Sequence, residues 1–196
     1  MPLNLTRSIL VILVPGVIAL SPWLLLLVDK YEHIWELYVK LPLPFNAVVF
    51  AIIVVFGSTV EGLMSYLEKR WDKQASEGPK PEPDNDWLNI DWYDYLAYKR
   101  GDCEPVAYRY ISRKVTELYF EMVMVVASPL SIAGVLVLAY FHGLNACAAI
   151  IGAIAMGLLL TVAFYKFARD THCVLYEVRH AIMVRLSTGS TAQKPA

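Results

Sequence analysis

The chain has 196 residues and a formal net charge of −1, with 57% hydrophobic but only 18% charged residues. Soluble globular proteins carry about 25% charged residues, so this composition favours a membrane protein. The near-neutral charge argues against nucleic acid as a direct partner, because phosphate binding requires a dense basic surface.

Four uncharged runs are the candidate membrane spans: residues 8–28, 45–60, 122–141 and 146–165. A hydrocarbon core of about 30 Å needs about 20 helical residues. The runs lack the alternation of barrel strands, and in lipid only a helix or a closed barrel satisfies its own backbone. We therefore predict an all-α integral membrane protein with four transmembrane helices, the third and fourth extended into the cytosol.

The first run has two interpretations, a cleaved signal peptide and a membrane anchor. It contains 21 uncharged residues, whereas the apolar region of a signal peptide has roughly 7 to 15. The anchor is therefore favoured. Pro15 and Pro22 each lack a main-chain donor, so we expect a kinked helix. Residues 29–44 then alternate aromatic and charged side chains, which predicts a short helix at the outer membrane surface.

Basic residues predict the orientation. Fifteen Lys and Arg residues lie before the first run, between the second and third, or after the fourth, and only Lys30 and Lys40 lie in the remaining loop. The positive-inside rule then places both termini in the cytosol. We expect the membrane to be a bacterial inner membrane. The predicted organisation is a hairpin at 1–75, a cytosolic linker with an aromatic helix at 76–104, a second hairpin with cytosolic extensions at 105–186, and a disordered tail at 187–196.

Ionisable residues cluster at the cytosolic ends of the predicted spans, and intramembrane charges usually face one another or a wet cavity. This pattern favours an ion-paired collar that ties the helices together, and the alternative is a gate or an ion path lined by Glu61. The collar comprises Glu61, Glu117, Glu121, Lys166 and Arg169.

The segment 87–100 has helical spacing and more aromatic residues than a solvated helix would carry. It is predicted to pack under the bundle or on lipid, with a partner-binding surface as the alternative. The residues of this aromatic surface are Trp87, Trp92, Tyr93, Tyr95 and Tyr98.

Small residues recur every four positions in the fourth run, at Ala149, Ala153 and Gly157. Such a stripe allows helices to approach closely in lipid. It is compatible with packing against the third helix of the same chain and with self-association. We expect a homo-oligomer.

Motifs for catalysis are weak. Carboxylates at 84–94 would suit a divalent ion in a lipid-active enzyme, but helix caps and linker charges explain them better. His172 and His180 lie about 12 Å apart along a helix, too far to share a metal. Cys103, Cys147 and Cys173 have no metal-binding or redox spacing. The sequence therefore predicts no metal site, cofactor or disulfide.

The sequence favours a non-enzymatic membrane sensor or anchor that docks a soluble cytosolic partner. Components of bacterial stress or antiviral defence have this build, which is an analogy of architecture. The alternative is a small ion channel or pore-forming effector gated at the ionisable collar.

Overall fold

The computed structural model describes residues 9–77, 106–143 and 147–191, with side chains for 9–74, 109–143 and 147–181. Every secondary-structure element in these ranges is helical. Four helical segments are long and apolar enough to cross a membrane. This confirms the all-α prediction with four candidate membrane-spanning helices.

The first candidate span, Ile9–Lys30, consists of a π-helical turn at Ile9–Leu13 followed by α1 at Val14–Lys30. The remaining helices are α2 at Glu32–Lys40, α3 at Pro42–Glu77, α4 at Val106–Phe141 and α5 at Cys147–Thr191. α4 has 36 residues.

Two helix ends differ from the predicted positions. α3 begins at Pro42 rather than at residue 45, because proline is tolerated in a first turn whose amides have no helical partner. α5 continues to Thr191, so the tail predicted to be disordered from residue 187 is helical as far as Thr191. No proline precedes Pro195 in that stretch, and the single glycine costs only about 1 kcal/mol.

Both prolines of the first span are accommodated in α1. Pro15 lies in its first turn, and Pro22 lies inside the helix. Pro22 cannot donate to the carbonyl of Ile18, four residues earlier. The hydroxyl of Ser21 donates to that carbonyl instead, over 3.5 Å. α1 therefore continues through Pro22 as one helix.

The chain divides into two compact units. Unit 1 comprises Met1–Ser65 and Tyr119–Ala168, and unit 2 comprises Tyr66–Leu118 and Arg169–Ala196. The four uncharged runs belong to unit 1. Unit 2 contains the more polar parts of α3, α4 and α5.

In unit 1, the first span and α3 meet backbone to backbone at two glycines. A methyl group added at Gly16 would lie 2.8 Å from the carbonyl oxygen of Ile53, and one added at Gly57 would overlap the carbonyl oxygen of Ile12. The two contacts are reciprocal, with one helical turn between glycine and isoleucine on each helix. Glycine at these positions is what permits so close an approach.

Trp23 joins α1 to α4 in the same unit. Its indole Nε1 donates a hydrogen bond to the carbonyl oxygen of Leu130 over 3.0 Å. Gly134 leaves room for the indole, since a methyl group there would lie 2.9 Å from Nε1. The ring therefore gives α1 and α4 both an apolar contact and a directional one.

All four spans contribute to the core of unit 1. Ala19, Met124 and Ala127 are buried at its centre, and the partly buried side chains packed around them are Ile18, Phe56, Phe120, Leu130 and Phe164. The rings of Phe120 and Phe164 meet edge to face, with centroids 6.5 Å apart. Small residues next to large ones let these helices pack closely.

α5 is the least enclosed of the four. Only 6% of its most apolar 18-residue window is buried, against 33% for the window in α4. Gly157 is buried against Ile132 of α4, because a methyl group there would lie 2.8 Å from Cδ1 of that isoleucine. The apolar part of α5 therefore contacts the other helices of unit 1 along a narrow line. Most of its apolar surface is exposed.

The first and third spans also make contact at one end of unit 1. Nε2 of His142 lies 3.3 Å from a carboxylate oxygen of Asp29. The neighbouring Lys30 ammonium lies 5.5 Å from the ring centroid of Phe141.

Tyr38 of α2 packs against Phe45 near the start of α3, with ring centroids 5.5 Å apart. The predicted short helix between the first two spans is therefore present.

Candidate functional site

Unit 2 contains a buried histidine held by a carboxylate. His172 of α5 is 4% exposed, and its Nε2 donates to Oδ1 of Asp72 of α3 over 2.9 Å. The ring of Trp71 meets the imidazole edge to face, with centroids 5.4 Å apart. A buried polar group costs free energy unless it is hydrogen-bonded, so Asp72 is what allows His172 to be buried here.

A second polar pair joins the same two helices. Glu68, one turn before Asp72, is 9% exposed, and its Oε1 lies 3.5 Å from a guanidinium nitrogen of Arg179. Leu175 and Val178, between His172 and Arg179 in the sequence of α5, are almost fully buried. α3 and α5 are thus joined in unit 2 by two charge-bearing contacts and by the ring contact of Trp71 with His172.

The sequence pattern did not reveal this cluster. From the sequence, His172 was expected to lie too far from His180 to share a metal. In the structure His180 is exposed and stacks on Tyr176, with ring centroids 6.5 Å apart. The sequence of α3 did contain one signal, because the residues with helical spacing on one face include a polar residue. Met64, Glu68 and Trp71 recur at spacings of four and three and are all buried, which is one face of a helix.

Three residues of the predicted collar belong to unit 1. Glu61 and Glu121 are half-buried, and Lys166 is exposed. Oε2 of Glu121 is itself fully buried. Two carboxylates within or beside apolar spans are thus partly withdrawn from the surface of unit 1, as expected for intramembrane acids that face protein rather than lipid.

The other two collar residues belong to unit 2. Glu117 forms an ion pair with Lys114 one turn earlier on α4, with 3.0 Å between the charged atoms. Arg169 is exposed on α5. Glu117 thus has a partner on its own helix, and the collar of five residues stays a prediction.

The predicted aromatic surface lies outside the described residues, as do Cys103 and the carboxylates at 84–94. The surface comprises Trp87, Trp92, Tyr93, Tyr95 and Tyr98. Its proposed roles therefore stay predictions.

The predicted small-residue stripe of α5 has two different environments. Gly157 is buried against α4, Ala153 is half-buried and Ala149 is exposed. A side chain added at Gly152 would meet no atom within 4 Å. Packing within the chain thus uses Gly157, and self-association through the stripe stays a prediction.

Within residues 9–77, 106–143 and 147–191, no three His, Cys, Asp or Glu side chains are grouped so that they could hold a metal ion. Cys147 and Cys173 are free and exposed.

The chain matches no known family model, no characterised protein and no solved structure. Its four helices that are long and apolar enough to cross a membrane suggest a membrane protein.

Proposed function

We propose that the protein is a non-enzymatic membrane anchor or sensor that docks a soluble partner on the parts of its helices outside the bilayer. The observation that carries the proposal is unit 2 itself. Its helices continue directly from apolar spans, and its core contains Trp71, Leu118 and Leu175, each at most 9% exposed. A helical unit with its own core can present a fixed surface to a partner.

The polar contacts of unit 2 support a docking role. An isolated helical extension in water is only marginally stable, because most helix stability comes from tertiary packing. The Asp72–His172 and Glu68–Arg179 contacts between α3 and α5, together with the buried apolar side chains of unit 2, support that packing. α5 also leaves Val174 in unit 2 exposed at 41%, beside the buried Leu175 and Val178.

The proposed location of unit 2 is the cytosol, with both termini on that side of a bacterial inner membrane. The excess of Lys and Arg outside the loop that contains Lys30 and Lys40 supports this orientation. A role in bacterial stress or antiviral defence is proposed by architecture alone.

Site-specific photo-cross-linking in cells tests the docking role. A benzophenone amino acid at Val174 or Trp92 is expected to capture a soluble protein. The matched control is Val135, which is 47% exposed in an apolar span of unit 1 and should capture no soluble protein. Trp92→Ala should remove the cross-link at Val174 if the aromatic segment takes part. Cross-links at neither cytosolic position would contradict the proposal.

Self-association is the second part of the proposal, with the exposed part of the small-residue stripe of α5, at Ala149, as the contact surface. Ala149→Leu is expected to lower the oligomer mass in detergent, because it adds bulk at an exposed position of the stripe. Val162→Leu, at a position 65% exposed on the same helix, should leave the mass unchanged. A monomeric wild-type protein would contradict this part.

A channel is the second candidate, favoured by buried polar atoms within the apolar part of α4. Oε2 of Glu121 and Oγ of Ser128 are both buried, two turns apart on one helix face. The hydroxyl groups of Thr59 and Thr161, by comparison, donate hydrogen bonds to carbonyl oxygens of their own helices, over 2.7 and 2.8 Å. Ser128 Oγ has no hydrogen-bond partner within the described residues, so it has capacity for water or an ion.

Liposome flux distinguishes the channel from the anchor. A channel lined by this face should lose cation flux in Glu121→Gln and Ser128→Ala, and also in Glu61→Gln if that carboxylate lines the path. Glu36→Gln is the control, because Glu36 is exposed on α2 and pairs with Lys40 at 3.5 Å. Absence of flux from the wild-type protein would rule out this candidate.

A further inference from the structure

The charged side chains of α3 between Tyr66 and Gln74 lie on two different faces. The two acidic residues of this stretch, Glu68 and Asp72, contact Arg179 and His172 of α5. Its basic residues are all exposed: Lys69, Arg70 and Lys73. These two carboxylates therefore form contacts inside unit 2, and the outward face of α3 between Tyr66 and Gln74 is basic.

The basic face borders an open, shallow groove of about 450 Å³, whose lining among the described residues is Tyr66, Lys69, Arg70, Lys73 and Gln74. These positions are spaced i, i+3, i+4, i+7 and i+8, which places them on one face. Tyr66 is 73% exposed at the end nearest the apolar run. Within the described residues, neither Lys69 nor Arg70 forms an ion pair.

The distance of this groove from the start of the span matches the thickness of a bilayer. From Phe45 to Tyr66 the helix rises about 32 Å, close to the ~30 Å of a hydrocarbon core. Lys69, Arg70 and Lys73 lie about 4 to 11 Å further along the axis, where headgroups are found. Tyrosine is enriched at that boundary, because its ring is apolar and its hydroxyl is polar.

We infer that this groove of α3 binds the phosphate of an anionic phospholipid headgroup. Arginine offers paired donors to phosphate oxygens, and each nearby lysine adds a positive charge without requiring a fixed geometry. Tyr66 contacts the glycerol and upper acyl region of the same lipid. The inference rests on the proposed membrane location, with this end of α3 in the cytoplasmic leaflet, where anionic lipids attract basic segments.

Native mass spectrometry of the full-length protein in detergent tests the site, with phosphatidylglycerol and phosphatidylcholine titrated separately. The wild-type protein should bind phosphatidylglycerol more tightly. Lys69→Gln/Arg70→Gln should reduce that preference about tenfold or more, since each juxtamembrane base contributes substantially. The matched control is Arg109→Gln/Arg113→Gln on α4, which removes two exposed charges elsewhere in unit 2 and should keep the preference.

Several outcomes would overturn the inference. An unchanged preference in the groove variant would do so, and so would an equal loss in the control, which would indicate attraction to net charge alone. Inorganic phosphate that displaces phosphatidylglycerol at matched ionic strength would assign the groove to a free anion. An acidic protein that co-purifies through Lys69 and Arg70, with lipid preference intact, would assign it to a protein.

A folding defect and a failure of the docking proposal can each be distinguished from a failure of this inference. If the double variant does not fold, Lys69→Arg/Arg70→Lys retains both charges, and the wild-type preference must still fall as salt is raised. Cross-linking at Val174 and Trp92 reports on the soluble partner independently of lipid. Failure to bind any partner would therefore leave the lipid preference measurable, and loss of the lipid preference would leave the cross-links.

Discussion

Asp72 and His172 lie a hundred residues apart in the chain and are joined by a 2.9 Å contact between α3 and α5. The imidazole is nearly inaccessible to water, whereas the carboxylate is 41% exposed. The contact thus connects a buried group to a partly solvated one. This arrangement provides an acceptor for the imidazole without the large desolvation cost of burying both partners.

Removal of that carboxylate should destabilise unit 2. Asp72→Ala leaves the imidazole donor of His172 buried without its acceptor, and we expect a loss of about 1–3 kcal/mol. Thermal unfolding in detergent measures the loss. Asp170→Ala, at an exposed position on α5, is the control and should unfold like wild type. An equal melting temperature for Asp72→Ala and wild type would contradict the assignment of this contact.

The backbone contact between the first span and α3 gives a second prediction. Gly57→Ala should destabilise the protein by at least about 1–3 kcal/mol, because the new methyl group meets the Ile12 carbonyl and one of the helices must move. Gly62→Ala is the matched control on the same helix, since nothing lies within 4 Å of a methyl group there. It should be neutral or slightly stabilising. A destabilised Gly62→Ala beside a neutral Gly57→Ala would place the contact elsewhere.

Trp23 provides a third prediction that separates a hydrogen bond from apolar packing. Trp23→Phe retains an aromatic ring against Gly134 but removes the donor to Leu130, and should cost about 1 kcal/mol or somewhat more. Trp35→Phe, at a site 55% exposed on α2, should leave the unfolding temperature unchanged. Equal unfolding temperatures for the two variants would show that the hydrogen bond from the Trp23 indole to Leu130 does not stabilise the protein.

The proposed orientation predicts opposite accessibility for two exposed thiols. Cys147 and Cys173 are both free and belong to different units. In a Cys103→Ser/Cys173→Ser variant, an impermeant maleimide should label Cys147 in intact cells. In Cys103→Ser/Cys147→Ser it should label Cys173 only after permeabilisation. Labelling of Cys173 from outside intact cells would reverse the orientation.

The number of candidate spans could be predicted from sequence because uncharged runs are a strong local signal. α4 illustrates this, since Pro105 precedes it and no charge interrupts it from residue 122 onward. The end of α5 was less predictable. Ser, Thr and Gly at 187–190 resemble a tail, yet nothing in them prevents the helix from continuing to Thr191.

Contacts between helices were harder to predict from the sequence. The stripe of small residues in α5 was visible because it repeats within one helix, whereas the Gly16 and Gly57 contact requires one glycine from each of two helices. The same holds for Asp72 and His172, whose partnership depends on how α3 and α5 rotate about their axes. A single sequence gives the face of each helix but not which two faces meet.

The glycine contact has a consequence for how the sequence can change. Main-chain atoms, rather than side chains, set the spacing between the first two spans, so exchanges at outward-facing positions such as Val17 and Val55 leave that spacing intact. The outer surface of this pair is therefore free to adapt to bilayers of different composition while the separation of the two backbones is preserved.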